Sequence, residues 1–138
     1  MKLAIIPARG GSQRIKNKNI RDFCGKPLIH YSLAVAKESS LFDEIHVSTD
    51  SDTIKEIVER EGFSIPFLRD SSLADHHTPL LPVLQWVVRE FSKRDREFTE
   101  VCLLMPTAPL LLASDLIAAH KVFTSKNKIH PLMALSTF

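Results

Sequence analysis

Short apolar runs alternate with longer amphipathic stretches along the chain, and this alternation predicts strands and helices in turn. Residues 2–7 and 101–105 are continuously apolar runs, as expected of strands that are buried on both faces. Residues 44–49 alternate between polar and apolar positions and predict a third strand, while residues 63–68 and 132–137 are weaker strand candidates. Pro66 restricts the candidate at 63–68 to an edge or irregular position.

Four amphipathic segments between these runs predict helices. The residues predicted to begin or cap them are, in chain order, Pro27, Asp50 or Ser51, Thr78 and Ser114. Gly62 is a natural C-terminal stop for the second helix. Because the strands and helices alternate, the sequence predicts an α/β fold in which helices cover both faces of a mostly parallel sheet.

The composition is that of one soluble globular domain. The 138 residues are 44% hydrophobic and 25% charged, which is near the average for such domains. No apolar run approaches the ~20 residues of a membrane span, and no signal peptide precedes Arg9, so we expect a cytoplasmic protein with no membrane partner. Cys24 and Cys102 are far apart and are expected to be free thiols.

The net charge of +2 is unevenly distributed. The segment from Arg9 to Lys26 has six basic residues and one acidic residue, which gives +5 there and −3 elsewhere. It begins in the loop after the first predicted strand, the usual phosphate site of a parallel sheet. In this loop Gly10 and Gly11 let backbone N–H groups approach phosphate oxygens, and Ser12 adds a hydroxyl donor. The sequence therefore predicts an anion site here, with a solvated basic loop as the alternative.

Four motifs follow one another in the chain: IPARGGSQRIKNKNI from residue 6, GKPLI from residue 25, VSTD from residue 47 and MPTAPL from residue 105. In this order they resemble the cytidylyltransferases that activate nonulosonic acids, the CMP-sialic acid synthetases, and in particular their pseudaminic acid branch. The resemblance extends over essentially the whole chain and implies a Rossmann-like, mononucleotide-binding fold. It also implies that the anomeric hydroxyl of an acidic nine-carbon sugar attacks the α-phosphorus of CTP and releases pyrophosphate.

The resemblance further implies the residues of the site. Arg9 and Lys18 match positions that hold the CTP phosphates and are the expected catalytic residues, and Arg69 in FLRDSSLAD matches an arginine near the cytidine. Gln13 replaces a lysine of many relatives, and Arg14 or Lys16 would compensate for it. The expected nucleotide-binding residues are Arg9, Gly10, Gly11, Ser12, Gln13, Arg14, Lys18, Asn19, Arg69 and Thr78.

Relatives of this kind continue well past the length of this chain. Their additional segment supplies much of the sugar site, the dimer contact and the aspartates that hold the metal. We therefore expect residues 1–138 to form a CTP-binding nucleotidyltransferase domain that is incomplete at its C-terminus, as a fragment or a truncated gene product. Mg²⁺ is expected to bind with CTP, with its protein ligands beyond residue 138, and the full-length enzyme is expected to be a homodimer.

Three other functions remain open. A nucleotidyltransferase for another sugar, such as deoxyoctulosonate, ranks second, because KNI separates the glycine loop from GKPLI in this chain. A non-catalytic CTP-binding module is the third possibility. Nucleic-acid binding through the basic segment is disfavoured, because Phe23 is the only aromatic residue among its charges.

Several single residues have two interpretations. Asp50 follows a predicted strand and either faces the nucleotide or caps a helix. Lys26 either reaches a phosphate or belongs to a structural helix start. His76 and His77 beside Asp75 suggest a metal site, but adjacent residues do not converge on one ion without further ligands, so we assign no metal ligand in this chain.

Overall fold

The structure is a computed structural model that describes residues 1–12, 15–128 and 130–134. The strands are β1 (Lys2–Pro7), β2 (Asp22–Phe23), β3 (Lys26–Pro27), β4 (Glu44–Ser48) and β5 (Glu100–Leu103). The helices are α1 (Leu28–Glu38), α2 (Asp52–Arg60), α3 (Leu80–Ser92) and α4 (Ala113–Ser125). Short 3₁₀ turns occupy Lys18–Ile20 and Ser71–Leu73.

The main sheet has three parallel strands in the order β4-β1-β5. Leu3 of β1 lies opposite Glu44 on one side and opposite Val101 on the other. Because the chain continues to one side of β1 and later returns to the other side, the order of the strands reverses at β1. The loop after β1 therefore opens at the crevice where open α/β sheets bind ligands.

Alternate residues of β1 face two apolar clusters on opposite faces of the sheet. Leu3 and Ile5 pack with Val87 and Phe91 of α3. The opposite cluster contains residues of β1, α1, α2 and α4, among them Ala4, Ile6, Ile29, Leu33, Val58 and Leu116. Helices thus cover both faces of a parallel sheet, and the predicted α/β fold is confirmed. In the described part of the chain, no helix has the combined length and apolar character needed to cross a bilayer.

The outer edge of β4 is covered by an irregular segment, and the prediction of a strand at residues 63–68 is wrong. Ile65 packs in the cluster on the α1 side, and Phe67 packs against the cluster on the α3 side. Pro66 lacks the N–H that a ladder needs. The segment therefore crosses from one face to the other beside β4, and the N–H of Arg69 donates to the carbonyl oxygen of Thr49 at 2.6 Å.

The β5 strand is more exposed than its apolar sequence predicts. Val101 is 44% exposed and Leu103 is 37% exposed, because α3 packs over β1 instead. The expected burial of this strand on both faces is therefore wrong for the described residues. Of the strand expected at 132–137, residues 132–134 are irregular and residues 135–137 lie outside the described residues.

Pro27, expected as the first residue of a helix, is the N-cap residue of α1, one position before Leu28, and among the predicted caps only that of α2 is correct. Ser51 is its N-cap residue, and its hydroxyl accepts the N–H of Ile54 at 3.4 Å. Thr78 does not cap α3, because its N–H and hydroxyl bind Asp75 instead. Ser114 lies within α4 rather than before it.

A short hairpin that the sequence analysis missed precedes α1. Its strands β2 and β3 pair antiparallel, and the turn residues Cys24 and Gly25 have φ values of 53° and 85°. Two successive positive φ angles are typical of a type I′ turn, which matches the twist of the hairpin. The hydroxyl of Tyr31 on α1 donates to the carbonyl oxygen of Phe23 at 2.6 Å, so the hairpin is attached to the helix that follows it.

Candidate functional site

The loop after β1 lies against the turn that follows β4. The N–H of Ala8 donates to the carbonyl oxygen of Ser48 at 2.9 Å, and the N–H of Gly10 donates to Oδ1 of Asp50 at 2.9 Å. A Cβ atom on Gly10 would lie 3.0 Å from Cβ of Ser51. The absence of a side chain at Gly10 therefore permits the two loops to meet at the carboxyl end of the sheet.

The backbone amides of the glycine loop are not equally available to a ligand. The Gly10 amide is bound to Asp50, and the N–H of Ser12 donates to the carbonyl oxygen of Gly10 at 3.0 Å. The Gly11 amide makes no hydrogen bond with any described residue, and Gly11 is exposed. Of the two glycine amides that were expected to approach phosphate oxygens, that of Gly10 is therefore bonded to the protein, and that of Gly11 has no partner among the described residues.

Arg69 is buried at the end of β4, with 7% of its surface exposed. Its Nε donates to the hydroxyl of Ser48 at 3.0 Å, and its Nη2 donates to the carbonyl oxygen of Ser48 at 2.6 Å. Burial lowers the pKa of Arg69, the carboxylate of Asp50 raises it, and the guanidinium of Arg9 lowers it. Arg9, Asp50 and Arg69 are therefore close enough for their charges to interact.

Asn19 connects the 3₁₀ turn after the glycine loop to Arg9. Its Nδ2 donates to the carbonyl oxygen of Arg9 at 3.2 Å, and the residue is 4% exposed. Its Oδ1 is buried and has no hydrogen-bond partner among the described residues. Lys18 is half-buried beside it in the same turn. Neither the Arg9 nor the Lys18 side chain bonds to a described protein group, so both cations remain available to an anion.

Thr78 lies apart from this group in the contacts that the structure describes. Its hydroxyl and N–H donate to Oδ1 of Asp75 at 2.9 and 2.6 Å, and these bonds hold the pKa of Asp75 below its usual value. No described hydrogen bond joins Thr78 to Arg69 or to the glycine loop. Ser12 is half-buried in that loop, and the predicted site residues Gln13 and Arg14 lie outside the described residues.

The chain matches the family described as Cytidylyltransferase over residues 3–127. It belongs to this cytidylyltransferase family. The resemblance drawn from the sequence motifs is thereby confirmed.

Curated relatives agree with the family assignment. The chain is 41% identical over 136 residues to the pseudaminic acid cytidylyltransferase of Campylobacter jejuni, an alignment that covers 99% of this chain and 58% of the relative. It is 41% identical over 107 residues to the CMP-N,N'-diacetyllegionaminic acid synthase of Legionella pneumophila, covering 78% of this chain and 46% of the relative. The chain thus spans little more than half the length of the first of these relatives.

Solved structures support the fold of this cytidylyltransferase chain. A CMP:2-keto-3-deoxy-manno-octonic acid synthetase complexed with CTP superimposes with a TM-score of 0.76, at 23% identity, over 91% of this chain and 48% of that one. A 4-diphosphocytidyl-2C-methyl-D-erythritol synthase superimposes with a TM-score of 0.66 at 14% identity, over 87% of this chain and 52% of that one. At these identities the superpositions establish the α/β nucleotidyltransferase-like fold alone.

For Asp50 of this cytidylyltransferase, the sequence left open whether the side chain faces the nucleotide or caps a helix. Ser51 caps α2, so the Asp50 carboxylate is not used for the helix and binds the Gly10 amide instead. A bond between residues 40 positions apart leaves no signal in local spacing.

Lys26 has a protein neighbour in place of a phosphate. Its Nζ lies 2.9 Å from Nε2 of His30, and Nδ1 of His30 lies 2.6 Å from a carboxylate oxygen of Glu61. This contact favours the structural interpretation of Lys26.

Candidate metal ligands do not cluster in the described part of the chain. Within residues 1–12, 15–128 and 130–134, no group of three or more His, Cys, Asp or Glu residues is placed to hold a metal ion. His76 and His77 stack on each other with ring centroids 4.0 Å apart. Mg²⁺ at a nucleotide usually takes one or two carboxylates together with phosphate oxygens and water, and such a site needs no cluster of three protein ligands.

Proposed function

We propose that residues 1–138 form the nucleotide-binding domain of a cytidylyltransferase that transfers CMP from CTP to a nonulosonic acid and releases pyrophosphate. The observation that carries the proposal is the joining of the glycine loop to the β4 turn, which gathers Arg9, Asn19 and Arg69 at the carboxyl end of the sheet. The names of the relatives in Campylobacter and Legionella, which specify pseudaminic and legionaminic acid, support a nonulosonic acid as the acceptor.

The proposed chemistry relies on positioning and charge. Negative charge builds up on the β- and γ-phosphates as pyrophosphate leaves, and fixed cations stabilise this charge. We assign this role to Arg9 and Lys18, whose side chains bond to no described protein group, and we assign the Gly11 amide as a neutral donor to a phosphate oxygen. The remaining proposed nucleotide contacts are Ser12, Gln13, Arg14, Asn19, Arg69 and Thr78, while the Gly10 amide stays bonded to Asp50.

In this proposal Arg69 has two roles, because part of its guanidinium is bonded to the protein and part is left for the nucleotide. Two of its guanidinium nitrogens are already bonded to Ser48. Nη1 forms no hydrogen bond with a described residue and is the nitrogen that we assign to the cytidine end of CTP. The two bonds to Ser48 hold the guanidinium plane in place before the ligand arrives.

The proposal extends to the metal ion, the cellular location and the partners of the enzyme. A Mg²⁺ ion bound with CTP would share the charge of the phosphate oxygens. We further propose a cytoplasmic enzyme whose full-length form is a homodimer, with CTP and an acidic nine-carbon sugar as its partners and no nucleic-acid or membrane partner.

Calorimetric titration of the chain with CTP and UTP, with and without Mg²⁺, tests nucleotide binding. We expect CTP to bind more tightly than UTP and Arg9→Ala to weaken CTP binding by at least about tenfold, since a hydrogen bond to a charged group contributes about 1.5–3 kcal/mol. Arg21→Ala is the matched control, because Arg21 is an exposed arginine of the same basic segment. We expect it to change the Kd less than about twofold.

Three results would contradict the proposal. Absence of CTP binding by the wild-type chain would rule out the nucleotide site, and equal affinity for CTP and UTP would rule out base selection. An equal loss in Arg9→Ala and Arg21→Ala would show a general charge effect instead of a site. Pyrophosphate release on addition of pseudaminic acid then separates an enzyme from a non-catalytic CTP-binding module.

A further inference from the structure

We propose that Asp50 is a positioning residue for nucleotide binding, which holds the glycine loop so that Arg9 and the Gly11 amide are left for the triphosphate. This inference rests on the proposed function. It assigns to a carboxylate a role in a site that the sequence indicates only through its basic residues and glycines.

The Asp50 side chain makes a hydrogen bond that joins the β1 loop to the β4 loop. Its Oδ1 accepts the N–H of Gly10 at 2.9 Å, across the boundary between the β1 and β4 loops. Ser51 performs the capping of α2, so the position of Asp50 is not explained by the helix. The close approach of Gly10 to Ser51 and the bond to Asp50 fix the same residue from two directions.

The charge of Asp50 is balanced by its neighbours. A carboxylate near a phosphate site weakens anion binding unless cations outweigh it. Here the Asp50 carboxylate raises the pKa of the buried Arg69 guanidinium, and the charge of Arg9 lowers it. A buried cation is costly without a compensating charge. Asp50 therefore stabilises the charged form of Arg69, while two cations against one anion still leave this part of the site positive.

The bond to Gly10 also determines which amide is uncommitted. Of the three consecutive amides of Gly10, Gly11 and Ser12, those of Gly10 and Ser12 are bonded within the protein, and that of Gly11 has no partner among the described residues. If Asp50 did not hold the loop, CTP binding would have to order it, and that ordering reduces affinity. The loss should be larger for CTP than for CMP, because the glycine loop is assigned to the phosphates.

Titrations of CTP and CMP into the wild-type chain, Asp50→Ala, Asp50→Asn and Asp52→Ala test this role, with the Tm of each variant measured in parallel. We expect Asp50→Ala to weaken CTP about tenfold and CMP about two- to threefold, in line with the loss of one charge-assisted hydrogen bond. Asp50→Asn retains an acceptor oxygen and should fall between the wild type and Asp50→Ala. Asp52, an exposed acidic residue in the first turn of α2, is the matched control and should change either Kd less than twofold.

The outcomes separate this inference from the proposed function. A wild-type chain that binds neither nucleotide overturns both. Wild-type binding with unchanged or tighter CTP binding in both Asp50 variants overturns the positioning role alone. An equal loss for CTP and CMP together with a lower Tm also overturns it, since that result shows a merely structural contact. If Asp50→Ala does not fold, the CTP-to-CMP ratio of Asp50→Asn decides the question.

Discussion

The two strands beside β1 differ in how completely the protein covers them. In β4, His46, Val47 and Ser48 are all fully buried, and the segment from Ile65 to Arg69 runs along its outer edge. In β5, alternate residues are exposed, and no described strand pairs with its outer edge. The candidate site is built on the β4 side, where described residues complete the packing. The proposed nucleotide site can therefore be tested on this chain, independently of what covers β5.

The largest expected effect is the loss of stability at low pH that buried His46 causes on the β4 side. His46 packs against Phe67 and Phe91, with ring centroids 4.6 and 5.2 Å away. Burial first, and the charge of Arg69 second, lower the pKa of His46 from 6.5 to about 3. The folded protein therefore keeps His46 neutral while the unfolded chain protonates it. The contribution of neutral His46 to the free energy of unfolding is therefore complete above pH 6.5. It declines as the pH falls below 6.5, and by pH 4 the free energy of unfolding is lower by about 3 kcal/mol.

Urea unfolding between pH 7 and pH 4.5 measures this decline. We expect His46→Phe, which keeps a ring in the aromatic cluster, to flatten the slope in this window. The carboxylates whose pKa is lowered by hydrogen bonds, such as Asp75 and Glu90, lose their stabilising charge only at lower pH, below their usual values. An unchanged slope in His46→Phe would show that another group titrates.

A matched pair of valines sharpens the comparison between the strands. Val47 in β4 is fully buried, and Val101 in β5 is 44% exposed. Val47→Ala removes two buried methyl groups and should lower the free energy of unfolding by about 2 kcal/mol, because burial is lost and a cavity remains. Val101→Ala should change it by less than about 0.5 kcal/mol. Equal losses in chemical denaturation would mean that β5 is covered in solution.

The smallest expected effect distinguishes the two glycines of the site. A Cβ on Gly10 meets Ser51 at 3.0 Å, so Gly10→Ala should cost about 1 kcal/mol of stability through crowding. A Cβ on Gly11 has no neighbour within 4 Å, so Gly11→Ala should cost nothing and gain up to about 0.5 kcal/mol from a less flexible unfolded chain. Thermal unfolding of both variants measures the difference, and a reversed order would refute the described position of the loop.

Local signals were sufficient to predict β1, α1, β4 and α2. β1 is a continuous apolar run, the other three have an apolar period, and Ser51 gives α2 a recognisable start. The hairpin of β2 and β3 was missed because two-residue strands have no measurable period, and Cys24 is an unusual residue for a positive φ. Residues 63–68 were predicted as a weak strand, but this segment packs on both faces of the sheet while passing its edge.

For the candidate site, the position of the glycine loop was predictable from the sequence, but the hydrogen bonds that organise it were not. Arg9 and the glycines follow β1 directly, and the position of such a loop is a property of parallel sheets. The bonds that organise it, from Gly10 to Asp50 and from Arg69 to Ser48, join residues 40 and 21 positions apart. Such pairs depend on how the strands are ordered, which no local pattern specifies.

The central position of β1 also has a consequence for the newly made chain. The bond from the Lys2 N–H to the Asp43 carboxylate spans 41 residues, and the bond from the Thr99 hydroxyl to the Met1 carbonyl oxygen spans 98. A ribosome adding roughly 5–20 residues per second finishes β1 several seconds before its second neighbouring strand exists. Until then an apolar strand that ends up in the middle of the sheet has an unpaired side, so slow translation lengthens its exposure to aggregation and to chaperones.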